Sequence, residues 1–249
     1  MAGLPDPSTL PLFQYYDPVT DTLQDITYPD GSQPRRIRTY VLDPTDWLPT
    51  NRTQSLGTDG PPHGIKTREE VLAWDTDGTA CHICGRAGAK CRGARCRKTF
   101  RARTESVYKQ KLRIERTTGV AAMGYGVFAT DAIRKGVVVR EYMGQLFPLD
   151  ACERRRKKLG RESTYNFVVD PVMDVDARDY GNITRFVNHH CNPNLAVKPV
   201  VYGRHRCFAY VAERVILAGD QLFVHYGDEY FDNARPCRCD TVPYPHIPS

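Results

Sequence analysis

The stretch Arg185-Phe186-Val187-Asn188-His189-His190-Cys191-Asn192-Pro193-Asn194 decides how this chain is read. Ten residues combine amides, imidazoles, a thiol and a proline, entered from the apolar pair Phe186 and Val187. Asn188 offers two donors and an acceptor, His189 one of each, and Cys191 a thiolate for a metal. Pro193 lacks an N–H and has a fixed φ, so it continues neither a helix nor a ladder, and the segment is expected to be a tight irregular loop. A loop this polar beside an apolar turn predicts binding rather than mere connection.

Four further motifs stand in order around it. Met123-Gly124-Tyr125-Gly126 places two glycines about an aromatic, where backbone can approach a ligand or reach φ > 0. A plain β-turn reads the same residues, and no Lys-Ser/Thr or helix pattern follows to make a phosphate loop. Glu141-Tyr142-Met143-Gly144 follows a Val-rich run, with Thr164-Tyr165-Asn166-Phe167 beyond it. On the far side lies Gln221-Leu-Phe-Val-His-Tyr-Gly-Asp-Glu-Tyr230.

Taken together these motifs resemble the SET-domain protein lysine methyltransferases, over residues 111–239. The central stretch is similar to that family's Asn-His-Ser-Cys-x-Pro-Asn. Asp176–Thr184 ahead of it is most similar to the histone H3 lysine 9 (SUV39-like) subgroup. Periodicity alone predicts a mostly β chain with short helices (α+β). The resemblance adds small curved sheets and a knot-like crossing that would bring Asn188 and His189 beside Tyr226.

The resemblance implies S-adenosylmethionine as cofactor, with contacts from Met123, Gly124, Tyr125, Gly126, Thr164, Tyr165, Arg185, Asn188, His189, Tyr226 and Tyr230. It implies a lysine channel lined by Tyr142, Tyr165 and Phe167, with Tyr226 as the catalytic tyrosine. Val224 stands where the family has Phe or Tyr, the position that limits how many methyls fit, so di- and trimethyl products are expected. His225 replaces the usual Asp and His190 the usual Ser. Gln145 replaces a Glu, read here as a surface-type change. A zinc site is implied at Cys191, Cys237 and Cys239. The family's fourth cysteine would fall at Tyr244, and His246 is the nearest substitute.

Composition narrows the setting. The 249 residues carry a formal charge of +6, which suits an acidic partner without demanding one. No apolar run approaches the ~20 residues that span a bilayer, and the N-terminus shows no signal pattern, so the expectation is an intracellular, membrane-free protein. Nine cysteines there read as metal ligands and core thiols rather than disulfides. Cys81-x2-Cys84-x6-Cys91-x4-Cys96 has the spacing of one tetrahedral zinc site, giving one to two zincs in all. Cations crowd residues 86–103; they are a solvated face or a weak contact to nucleic-acid phosphates.

Residues 1–62 hold ten of the 18 prolines and are expected to be extended, either disordered or laid across the domain surface. Phe13, Tyr15, Tyr16, Tyr28, Trp47 and Leu48 argue against a wholly solvated tail. Thr67-Arg-Glu-Glu70 and Asp150-Ala-Cys-Glu153 are capping boxes, the second opening a helix with basic residues 154–158. The expected divisions are a proline-rich region 1–66, a reduced pre-SET-like region 67–110, a SET domain 111–232 and a short post-SET segment 233–249. The expected protein is a methyltransferase of nuclear chromatin acting on the histone H3 tail, with lysine 9 favoured, or on another lysine-containing protein. Competing readings are a SET-like scaffold with weakened turnover and a zinc-knuckle nucleic-acid binder.

Overall fold

Short runs of Val, Ile, Tyr and Phe, broken by Gly, Pro and Asp, favour brief strands over long helices. The computed structural model describes residues 4–47, 65–74, 76–117, 124–148, 165–170, 173–231, 236, 237 and 239, with 166–170 and 229 described in backbone alone. In chain order these give β1 (Gln14–Asp17), β2 (Thr22–Asp25), β3 (Arg35–Arg36), β4 (Val41–Leu42), α1 (Arg68–Ala73) and α2 (Ala94–Lys111). Then follow β5 (Leu112–Arg116), β6 (Tyr125–Ala129), β7 (Val138–Glu141), β8 (Gln145–Pro148), β9 (Asn166–Asp170) and β10 (Met173–Asp176). The last are β11 (Tyr180–Gly181), β12 (Asn188–His189), β13 (Leu195–Tyr202), β14 (His205–Ala212) and β15 (Phe223–Val224). Among the described residues they form sheets β2-β1-β5-β6, β4-β8-β10-β9 and β13-β14-β7, with pairs β11-β3 and β12-β15. This is the mostly β architecture with few helices that the sequence predicts.

The described part of the proline-rich region is docked. Phe13, Tyr15, Ile26, Ile37, Tyr40 and Trp47 are buried in the main core. β1 joins β5, β3 joins β11, and β4 joins β8. Pro34 and Pro44 flank β3 and β4, which stop at two residues each, because proline cannot donate to a ladder. This docking corrects the reading of Gln145. It is 4 % exposed, because β4 covers the side of β8 opposite β10.

Thr67 caps α1 as expected, its hydroxyl accepting from the Glu70 N–H at 3.3 Å. The reciprocal arm is shifted by one residue: Glu70 accepts from the Lys66 N–H at 2.9 Å. α2 is a helix the sequence reading did not anticipate. It buries Cys96, Phe100 and Thr104, spaced by four, so its core stripe is narrow within a strongly cationic segment. Phe100 stacks on Tyr202 at 3.9 Å between centroids. The capping box at 150–153, the basic residues 154–158 and Leu48 lie outside the described residues. No helix among the described residues is long and apolar enough to cross a membrane.

The parallel pairing of β12 with β15 sets Asn188 beside Phe223 and His189 beside Val224.

Candidate active site and metal centres

The central loop is held in shape by its own side chains. Asn194 acts as a piece of strand, its amide donating to the Gln221 carbonyl at 2.8 Å and accepting from the Phe223 N–H at 2.9 Å. His190 closes the turn by accepting from the Asn192 N–H at 2.9 Å. Asn188 donates to the Tyr125 carbonyl at 2.9 Å, which ties the loop to the Gly-Tyr-Gly turn. His189 Nδ1 accepts from the Tyr226 N–H at 3.1 Å. Tyr125, Asn188, His189 and Tyr226, far apart in sequence, are thereby brought together.

The two glycines of the turn do different work. Gly124 has φ +85° and open space where a side chain would stand, so backbone is approachable there. Gly126 has no positive φ, and a Cβ on it would collide with the Gln221 amide. Its smallness serves packing.

A slot of about 50 Å³ lies between Tyr142, Tyr165, Tyr210, Val224, Tyr226 and Tyr230. The Tyr226 hydroxyl donates to the Val187 carbonyl at 2.8 Å, and the Tyr142 hydroxyl to the Tyr165 carbonyl at 2.7 Å. Each phenol has one proton to give, so toward the slot these two can only accept. Burial pushes both pKa values well above the usual phenol range, with neighbouring Tyr210 adding to the effect. Both stay neutral near pH 7 and neither serves as a base. His225 also borders the slot. Its Nδ1 accepts from the Gly227 N–H at 3.1 Å, which leaves its proton on Nε2, 3.8 Å from the Asp228 carboxylate.

Arg185 is 4 % exposed. Its Nε and Nη2 donate to the carbonyls of Ala177 and Arg178 at 2.8 and 3.1 Å, and its Nη1 to the Tyr28 hydroxyl at 3.0 Å. The rings of Tyr165 and Phe186 lie 4.3 and 4.7 Å from the guanidinium carbon. This is a buried fork whose geometry suits carbonyl and aromatic neighbours at once. Beside it a cavity of about 850 Å³ is bordered by Tyr28, Arg35, Gln145, Tyr165, Arg178 and Arg185. Its volume falls in the range of small-molecule sites.

Two groups of side chains could each hold a metal ion. In one, Cys81, Cys84, Cys91 and Cys96 place their sulfurs within 4.8 Å of one another; in the other, a ring nitrogen of His189 and the sulfurs of Cys191, Cys237 and Cys239 lie equally close. A tetrahedral zinc with Zn–S of about 2.3 Å implies S···S of about 3.8 Å. Cys84–Cys91 at 3.8 Å and Cys191–Cys237 at 3.7 Å meet that spacing. Backbone N–H groups of Arg86 and Arg92 lower the Cys84 pKa to about 6, so a thiolate is at hand. Burial raises Cys96 and Cys191 to about 12, the direction a cation at the centre would reverse.

Residues 124–227 match the family model of the SET domain. The chain carries a SET domain. Its curated relatives include histone-lysine N-methyltransferase EHMT1 of Homo sapiens, 37 % identical over 128 residues, which covers 47 % of this chain and 10 % of that protein. Histone-lysine N-methyltransferase SUV39H1 of Xenopus laevis is 36 % identical over 154 residues, covering 59 % of this chain and 34 % of that one. Drosophila melanogaster histone-lysine N-methyltransferase Su(var)3-9 is 43 % identical over 83 residues, 30 % of this chain and 13 % of that one. The chain therefore spans between a tenth and about a third of these relatives.

Of the residues expected at this SET-domain site, Tyr125, Tyr142, Tyr165, Arg185, Asn188, His189, Val224, Tyr226 and Tyr230 surround the slot and the loop beside it. Met123, Thr164 and His246 lie outside the described residues. Phe167 stands on β9, described in backbone alone. Sequence reading missed Tyr210, which strand alternation along β14 places on the slot side, and Tyr28, whose contact with Arg185 spans 157 positions.

Proposed function

We propose that this chain is an S-adenosylmethionine-dependent protein-lysine N-methyltransferase of nuclear chromatin, acting on the histone H3 tail with lysine 9 favoured. The observation that carries this reading is the tyrosine slot. Two of its hydroxyls have their protons committed to backbone carbonyls, so they accept from an N–H and do not compete for the nitrogen lone pair. The named relatives support the lysine substrate, and the similarity of Asp176–Thr184 to the lysine 9 subgroup supports the position.

The residues present fit the cofactor. Gly124 leaves backbone open to a ligand, and the cavity beside Tyr165 and Arg185 is large enough for a nucleoside with an amino-acid arm. Gly124, Tyr125, Asn188 and His189 would hold one end, and Tyr165 and Arg185 would shape the other. When bound, S-adenosylmethionine supplies an electrophilic sulfonium methyl.

The chain's own residues govern the amine. A free lysine has pKa ~10.4, and a narrow aromatic slot disfavours its charged form. Among the described slot-lining side chains there is no carboxylate, and the His225 lone pair is taken by Gly227. The ammonium therefore loses its proton to solvent. Tyr226 then orients the neutral amine by accepting one N–H, which leaves the lone pair pointing along the slot. The rings tolerate the cationic methylated product by cation–π attraction. Positioning supplies most of the rate. Tyr226→Phe should lower kcat by about 100-fold or more, while its cost in stability stays on the order of 1 kcal/mol, because the hydrogen bond to Val187 is lost with almost no volume.

We propose residues 111–232 as the catalytic unit, flanked by zinc-bearing segments 67–110 and 233–249, with the described part of the N-terminal region as an added layer. Arg86, Lys90, Arg92, Arg95, Lys98 and Arg103 are exposed on the first zinc segment and α2, which supports a weak, salt-sensitive contact to nucleic-acid phosphates. Mass spectrometry of histone H3 after incubation with the chain and S-adenosylmethionine tests the main reading. Methylation confined to lysine 9 is the expected result. Modification elsewhere changes the substrate, and no methylation of any protein favours the scaffold reading.

A further inference from the structure

The Tyr28 side chain reaches the site from the proline-rich region, outside residues 124–227. Its hydroxyl accepts from Arg185 Nη1 at 3.0 Å and from the Tyr165 hydroxyl, also at 3.0 Å. Its ring meets the Tyr125 ring edge-on at 6.2 Å between centroids. Tyr28 thus touches three of the residues assigned to the cofactor, one from each of three motifs. It also borders the cavity of about 850 Å³ together with Tyr165 and Arg185. Tyr28 accepts in both contacts, so neither uses its own proton. The Tyr28 O–H is therefore the one turned to an acceptor in the cavity.

The segment around Tyr28 is built rather than draped. Ile26 and Ile37 on either side are buried in the core. The Ile26 N–H donates to the Phe13 carbonyl and the Ile37 N–H to the Gly181 carbonyl, each at 2.8 Å. The turn between them is closed by the Tyr28 N–H on the Ser32 carbonyl at 2.9 Å. A fixed donor at the rim of a cavity loses little entropy when a ligand arrives.

Resting on the methyltransferase reading above, we propose that Tyr28 belongs to the cofactor pocket. Residues 26–37 form its outer wall, and the Tyr28 hydroxyl presents its proton to an acceptor group of S-adenosylmethionine. The region ahead of the SET domain is then part of the machinery and not only of the fold.

The test is calorimetric titration of S-adenosylmethionine into the full chain, with steady-state kinetics and thermal melting of each variant. Tyr28→Phe should weaken S-adenosylmethionine about tenfold and raise its KM equally, with kcat within about twofold, since a hydrogen bond to a charged or polar ligand group is lost without volume. Tyr16→Phe is the control. It deletes the same atom from the same region, where the hydroxyl bonds only Asp21 at 2.8 Å, and should leave affinity and KM unchanged. Amide hydrogen exchange across residues 26–37 should also slow on adding S-adenosylmethionine to the unmutated chain, a readout that needs no variant to fold. Wild-type affinity retained by Tyr28→Phe, or unchanged exchange at 26–37, overturns the inference while the methyltransferase reading stands. An unmutated chain that binds no S-adenosylmethionine overturns both.

Discussion

The two cysteine groups look alike in composition and differ in what they are fastened to. In the first, the Gly203 N–H donates to Cys81 Sγ at 3.3 Å, the His82 N–H to the Val201 carbonyl at 2.8 Å, and Arg97 to the Gly203 carbonyl at 2.8 Å. Cys96 is also the first buried residue of α2. This group therefore pins a helix and a loop to the turn between β13 and β14. In the second, Cys191 lies 3.3 Å from His189 Nε2, and the other ring nitrogen holds the Tyr226 backbone. The first group is sewn into the fold; the second is sewn into the slot. Metal at one should hold structure, and metal at the other should hold the reacting geometry.

Substituting a ligand in each group tests that division most directly. Cys81→Ser should lose one zinc and destabilise the chain by on the order of 4 kcal/mol, because ligand loss removes binding energy that is also folding energy. Cys191→Ser should lose the other zinc, cost roughly 1 kcal/mol, and lower methylation by more than about tenfold. Metal analysis with thermal melting reads the first pair of effects, and a methyl-transfer assay the second. Equal loss of stability in both variants would erase the distinction drawn here.

His189 sharpens the comparison within the second group. Accepting the Tyr226 N–H at Nδ1 puts the ring proton on Nε2, which then donates to the Cys191 sulfur. To ligate metal through Nε2 the ring would have to change tautomer and release Tyr226. His189→Ala should therefore keep the zinc while weakening cofactor binding and turnover by about tenfold, whereas His246→Ala should lose it. Zinc lost from His189→Ala and kept in His246→Ala would reverse the assignment and make His189 the fourth ligand.

The same contrast shows what a sequence can disclose. The central loop was legible because Asn188, His189, Cys191 and Pro193 carry their chemistry in consecutive positions. The strands near 197–201 and 207–212 were legible because β-branched and aromatic residues concentrate there. α2 was not, because Cys96, Phe100 and Thr104 are a thin stripe and Arg97 serves the inner face by donating to a carbonyl. Gln145 was misplaced because the strand that covers it comes from some hundred residues away. Tyr28 escaped for the same reason: nothing local in a proline-rich segment announces a partner at Arg185.

Acid should act first on the region of the first group. His205 is buried beside α2, and burial, then Arg97 and Arg101, lower its pKa to about 4, with Glu69 opposing weakly. The folded chain thus resists a proton that the unfolded chain accepts near pH 6.5. Stability is level above about pH 6.5, falls as pH drops toward 4, and loses no more from this residue below that, a total on the order of 1–3 kcal/mol. His205→Gln should flatten that part of the curve in urea titrations at several pH values. An unchanged slope would assign the acid sensitivity to carboxylates instead.

The smallest expected effect is a change of product, and it tests the other region. Val224 is 1 % exposed and pairs with His189 across β15 and β12, so its backbone is fixed by the same strand pairing that holds the loop. It borders the slot with Tyr142 and Tyr210. A Phe or Tyr there would crowd the amine, and a Tyr hydroxyl could also hold a water. Valine leaves room for the amine to rotate with methyls attached, so di- and trimethyl-lysine are the expected products. A looser fit should also slow each transfer, since a misplacement of ~1 Å can cost ~100-fold. Val224→Tyr should shift the product toward monomethyl-lysine with little change in stability, measured by mass spectrometry of the peptide over a time course. Monomethyl-lysine alone from the unmutated chain would mean that Tyr210 already fills the space. Tyr210→Phe, not a change at Val224, would then be the substitution that admits a second methyl.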